Sequence, residues 1–168
     1  QDVVATITPS EDVTITNNGG SNSYTFTENG SFTFTFVDAV GNMGSVAANV
    51  TNIDTIAPTA TVAYTTTAPT NQDVVATITA SEAVTITNNS GSNSYTFNEN
   101  GSFTFEFKDA AGNTGKVTAI VTNIDKVAPT ATVAYNTTAA TNQDVIATIT
   151  ASEDVTITNN GGSNSYTF

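Results

Sequence analysis

Asp54, Glu82, Asp109 and Asn113 are the side chains of this sequence best suited to chemistry, since each ends in a hard oxygen and separate segments supply them. A hard divalent cation such as calcium takes six to eight oxygens at about 2.3–2.6 Å from carboxylates, carbonyls and water. The four side chains would supply part of that shell, and backbone and water the rest. A plainer role is open as well: Asp109 and Asn113 frame a turn, Asp54 ends a linker, and Glu82 lies in a solvated loop. For catalysis the inventory is thin. There is no His and no Cys, so a nucleophile with its base shrinks to paired carboxylates, and the pairs Glu11–Asp12 and Glu153–Asp154 are broken at Glu82–Ala83. No enzyme is expected.

The elements that must position these residues are strands. In FTFEF, Phe103, Phe105 and Phe107 alternate with Thr104 and Glu106, the two-residue period of a strand with one buried and one wet face. The turn DAAGN follows, then a β-branched run from Val117 to Ile124, then the linker NIDKVAP. Upstream, TATVAY (59–64), DVVATITA (73–80), AVTIT (83–87) and SYTF (94–97) read as four more strands, with Val74, Ala76 and Ile78 inward and Val75, Thr77 and Thr79 outward. Six alternating strands would return the chain to the pole where it entered. A linear array needs the opposite exit, which predicts a seventh short strand or a crossing in the Asn/Gly/Ser-rich stretch 88–94. With that parity, the incoming linker at Asp54, the turn at Ser81–Glu82 and the turn Asp109–Asn113 share one pole.

The same unit recurs. Gln1, Gln72 and Gln143 open near-identical segments at a spacing of 71 residues, and residues 1–26 differ from 143–168 only at Val4 against Ile146 and Pro9 against Ala151. The expected organisation is a partial copy at 1–57 without its first strand, a complete copy at 58–128, and a partial copy at 129–168 without its last two strands. The class is all-β, with each copy a thin two-sheet sandwich. Fifteen acidic against three basic side chains give a net charge of −12, which repels nucleic acid and anionic membrane surfaces and favours cations. No apolar run is long enough to span a bilayer, so membrane insertion is not expected. The absence of cysteine leaves the small units without disulfides.

The segments SEAVTIT (81–87), ENGSFTFEFKDAAGN (99–113) and VTNIDKVAPT (121–130) resemble the bacterial immunoglobulin-like (Big-type) repeats of large surface adhesins and cell-wall-associated proteins. The resemblance covers every copy and implies tandem immunoglobulin-like sandwiches on the extracellular cell surface, acting as a stalk or spacer whose partners are the neighbouring repeats of the same chain. It also implies calcium at acidic linkers, here at Asp54, Asp109, Asn113 and Asp125. At the second junction only Asp125 and Glu153 are available, and no ion is expected there. Two other roles stay in view. One is a subunit of an extracellular filament or surface layer, assembling through lateral or strand-exchange contacts with other copies. The other is a carbohydrate-binding module, which would need exposed aromatics, whereas Tyr64, Tyr95, Phe97 and Phe103 all fall on core-facing positions. A Lys–Asn covalent staple common to all copies is excluded, because Lys108, Lys116 and Lys126 correspond to Val37, Ser45 and Thr55 in the first copy. The N-x-S/T triplets at Asn29, Asn49, Asn88, Asn100 and Asn136 are read as accidents of composition.

Overall fold

A computed structural model describes all 168 residues. The protein is all-β, built of small antiparallel sheets joined by turns and three single-turn 3-10 segments. The first copy supplies β1 (Val3–Thr6), β2 (Val13–Ile15), β3 (Ser23–Phe26), β4 (Gly30–Asp38) and β5 (Met43–Val50). The middle copy supplies β6 (Ala60–Tyr64), β7 (Val74–Ala80), β8 (Thr85–Ile86), β9 (Ser94–Phe97), β10 (Gly101–Lys108) and β11 (Thr114–Val121). The last segment supplies β12 (Ala131–Tyr135), β13 (Ile146–Ala151) and β14 (Ser165–Thr167).

In the middle copy the sheets are β6–β7–β9 and β8–β10–β11, all pairs antiparallel. Their inner faces share one core. Val74, Ala76, Ile78 and Phe97 come from the first sheet and Phe105, Phe107, Ala119 and Val121 from the second, with Val62, Tyr64, Tyr95 and Phe103 packed around them. This is the arrangement of a β-sandwich, and the alternation of apolar residues along each strand is what produces it. Tyr95 stacks on Phe103 at 4.0 Å between centroids, and Phe103 meets Phe105 edge-on at 5.0 Å. Tyr24, Phe32 and Phe34 repeat that motif in the first copy.

The stretch 88–94 contains no seventh strand. Asn89–Gly91 is a 3-10 turn that carries the chain across from β8 to β9 in the opposite sheet. Asn89, Ser90 and Gly91 all take positive φ, and the Asn89 amide holds the turn by donating to the Ser92 and Ser94 carbonyls at 3.0 and 2.7 Å. The final strand also differs from its expected span of Val117–Ile124. It begins at Thr114, because the turn Asp109–Asn113 closes tightly enough for Lys108 to pair with Thr114. It ends at Val121, because Asn123 turns away to donate to the Ala68 carbonyl at 2.7 Å and Ile124 is captured by Asn100. In the third copy the segment corresponding to β8 forms no strand, since the hairpin that pairs with β8 has no counterpart there.

Packing divides the chain into two compact units, Gln1–Ala68 with Asp73–Ile124, and Pro69–Gln72 with Asp125–Phe168. The first and middle copies therefore lie in one unit. The linker between them is docked: Thr59 and Ser81 exchange hydrogen bonds of 2.8 and 3.1 Å, and Pro58 is buried with its carbonyl against Gly115.

Candidate metal centre

Three local structures build the site, and each follows from its sequence. The linker runs extended into β6 and fixes Asp54, whose Oδ1 accepts from the Ile56 N–H at 2.9 Å, an Asx turn. The tight connection after β7 carries Glu82. The hairpin turn between β10 and β11 carries Asp109, whose Oδ1 accepts from the N–H groups of Gly112 (2.7 Å) and Asn113 (2.8 Å), while Oδ2 accepts from Asn113 Nδ2 (2.8 Å). Gly112 at φ 96° allows that turn to close.

One carboxylate oxygen from each of Asp54, Glu82 and Asp109 lies within 4.8 Å of the other two. Asp54 and Glu82 are exposed, whereas Asp109 is 6% exposed. Asn113 joins this group as a donor: its Nδ2 also donates to the Asp54 carbonyl at 3.2 Å and so ties the linker to the hairpin turn. Burial alone would raise the Asp109 pKa, but the Asn113 side-chain bond and the N–H bonds from the turn outweigh it and hold the carboxyl below its ordinary value. The group is charged at neutral pH and faces two further carboxylates.

The first copy provides an internal comparison. Asp38 occupies the position of Asp109, and Asn42 that of Asn113. Asp38 Oδ1 accepts from Val40 and Asn42 N–H at 2.9 and 2.8 Å, and Asn42 Nδ2 donates to Oδ2 at 2.7 Å. These bonds, the Asn42 side chain foremost, lower the Asp38 pKa as well. The Asp–Asn pair thus closes the turn whether or not a linker lies over it. What the junction adds is the covering of Asp109 and the approach of Asp54. By donor type the trio fits a hard divalent cation: three carboxylates concentrate negative charge that such an ion would neutralise, with carbonyls and water completing its shell. Asp125 and Glu153, with Asp154, line a recess of about 430 Å³ in the second unit.

Other candidate residues have structural occupations. Asn100 Nδ2 donates to the Ile124 carbonyl and its Oδ1 accepts the Ile124 N–H, both at 2.8 Å; Asn29 holds Ile53 the same way at 2.9 and 2.8 Å. Asn88 clamps Thr104 and Glu106, and Asn136 clamps Asp144 and Ile146. Of the five N-x-S/T asparagines these four have amides engaged with backbone, and Asn49 is exposed on β5. The clamps escape a sequence reading because an asparagine in a polar stretch looks like any loop residue; for Asn29 and Asn100 alone the spacing of 24 residues to Ile53 and Ile124 repeats between copies. Lys108, Lys116 and Lys126 are exposed. Scanned against models of known families the chain matches none, and a search of curated proteins finds no match either.

Proposed function

We propose that the chain is a run of tandem immunoglobulin-like sandwiches, 71 residues per repeat, serving as a stalk or spacer of an extracellular bacterial surface adhesin. The observation that carries this reading is the docked linker: the Asp54 carbonyl of the first copy is bound by Asn113 of the copy that follows, and Pro58 and Thr59, which open that copy, pack on Gly115 and bond to Ser81. A chain of sandwiches whose joins are packed transmits position along its length, which a flexible tether would not do. The resemblance of SEAVTIT, ENGSFTFEFKDAAGN and VTNIDKVAPT to Big-type repeats supports the same role. Tyr64, Tyr95, Phe97 and Phe103 pack in or around the core, so they offer no exposed platform for a sugar.

In this reading calcium is the ligand of Asp54, Glu82 and Asp109, with Asn113 holding the linker in place beside them. The ion would offset the repulsion among the three carboxylates and fix the linker on the middle copy. Small-angle scattering of this chain and of chains lengthened by whole repeats tests the spacer role: the maximum dimension should grow by on the order of 40 Å per repeat, as strands of this length imply. Growth with only the square root of repeat number would show loosely tethered beads and end the spacer reading. Melting curves with calcium and with chelator test the ion. Calcium should raise the midpoint of wild type and leave Glu82→Gln unmoved; equal curves for both proteins would make the carboxylates turn-formers only.

A further inference from the structure

Asparagine is followed by glycine at four places, Asn18–Gly19, Asn29–Gly30, Asn100–Gly101 and Asn160–Gly161, and the backbone divides them into two pairs. At Gly19 and Gly161 it takes φ of 61° and 60°, inside the 3-10 turns. Those glycines have a conformational use, although Ser90 fills the same position in the middle copy at φ 54°. Gly30 and Gly101 have none. Neither takes positive φ, and a Cβ built on either would meet no atom within 4 Å. Each opens a strand, paired with Val50 and Val121, where glycine weakens rather than helps. What precedes them is the clamp: Asn29 on Ile53 and Asn100 on Ile124, both asparagines exposed to water and both bonded through the two ends of the amide.

We propose that Asn29 and Asn100 are sites of spontaneous deamidation, and that the reaction turns a brief opening of the sandwich exit into a permanent release. The chemistry needs only the dipeptide and water. The Gly101 backbone nitrogen attacks Cγ of Asn100 and gives up its proton, the Cγ–Nδ2 bond breaks, and ammonia leaves with that proton. The five-membered succinimide then takes up one water and opens at either carbonyl, giving aspartate or isoaspartate at position 100. A side chain on the following residue crowds the attack, so glycine allows the closest approach. Asn29 reacts with Gly30 in the same way.

In the closed state the attack is held back. Asn100 Nδ2 and Oδ1 are committed to the Ile124 carbonyl and N–H at 2.8 Å, and ring closure needs the side chain to turn back onto its own backbone. Local opening of the exit frees it. The product cannot close again. A carboxylate has no N–H, so the Ile124 carbonyl loses its donor and meets a negative oxygen instead, while isoaspartate lengthens the main chain by one carbon. At the first junction the effect reaches the linker, because Ile53 directly precedes Asp54, whose carbonyl Asn113 binds. Asn88 and Asn136 clamp backbone in a similar manner but are followed by Asn89 and Thr137, so those clamps last.

Peptide mapping by mass spectrometry after incubation at mildly alkaline pH tests this. In the folded chain Asn29 and Asn100 should acquire the mass and the isoaspartate of deamidation while Asn88 and Asn136 stay intact. Urea should speed the reaction at Asn29 and Asn100 by about ten-fold or more, because it opens the clamp. Gly30→Ala with Gly101→Ala adds methyl groups where space is open, so that variant should fold as wild type does and react several-fold more slowly at both sites. Aged wild type should lose hydrogen-exchange protection at Ile53 and Ile124, and the aged double variant should keep it. Asn100→Asp, made directly, should show the same early exchange at Ile124. Equal rates at all four asparagines in the folded chain, rates that urea leaves unchanged, or a deamidated chain with Ile124 still protected would overturn the inference.

Discussion

Gly115 and Gly44 hold the same position in two copies, yet only one carries a linker above it. A Cβ on Gly115 would run into the Pro58 carbonyl and the Phe107 ring, whereas on Gly44 the nearest atoms it would meet are those of the Phe36 ring. A ring can rotate more readily than a docked backbone can withdraw. Gly115→Ala should therefore destabilise by roughly 1–3 kcal/mol and Gly44→Ala by less, as chemical denaturation of the two variants would measure. Asp109 makes a second residue-scale case. Its folded pKa lies below the ordinary carboxylate value, so the stability it contributes is complete above about pH 4 and is lost as the pH falls from there through the depressed folded value. Asp109→Asn would set an amide against the Asn113 amide. The variant should melt lower than wild type at pH 7, and the gap should narrow by pH 3.

Strands announce themselves and their fastenings do not. The alternation in DVVATITA and FTFEF placed Val74, Ala76, Ile78, Phe103, Phe105 and Phe107 inside; Phe103 is half-buried against the core and the other five are buried, because a two-residue period leaves a strand only one way to face a core. Counting strands and asking where the linker must enter put Asp54, Glu82, Asp109 and Asn113 at one pole; one oxygen from each of the three carboxylates lies within 4.8 Å of the other two. The same count asked for a seventh strand or a crossing in 88–94, and the crossing at Asn89–Gly91 is what forms; nothing comparable marked the ends of β11, since those depend on which distant backbone group an asparagine finds. Asn100 is the clearest example. Its amide stands in for a peptide group and pairs with Ile124, which is 7% exposed, so the chain leaves the sandwich at a fixed point. Asn100→Ala would leave that buried N–H and carbonyl without their partner. The expected cost is about 1–3 kcal/mol in unfolding free energy, with early amide exchange at Ile124 in hydrogen-exchange measurements.

At the scale of the first compact unit, the question is whether two sandwiches fold as two objects or as one. A copy of this size buries a small core and would be marginal alone. The linker from Asp54 to Thr59 changes that balance, because its Asp54 carbonyl, in the first copy, is bound by Asn113 of the middle copy, while Pro58 and Thr59, which open the middle copy, are held at Gly115 and Ser81. At the other end of β6 the Tyr64 hydroxyl accepts the Ile120 N–H and fastens that strand to β11. Stability should then be shared between neighbours, as in other repeat arrays where interfaces contribute beside intrinsic terms. Inserting two glycines after Thr55 lengthens the join without touching any core residue. Calorimetry of the unit should show one transition in wild type and two in the insertion variant. If the insertion left a single transition at the original temperature, the copies would be coupled by something other than the docked linker.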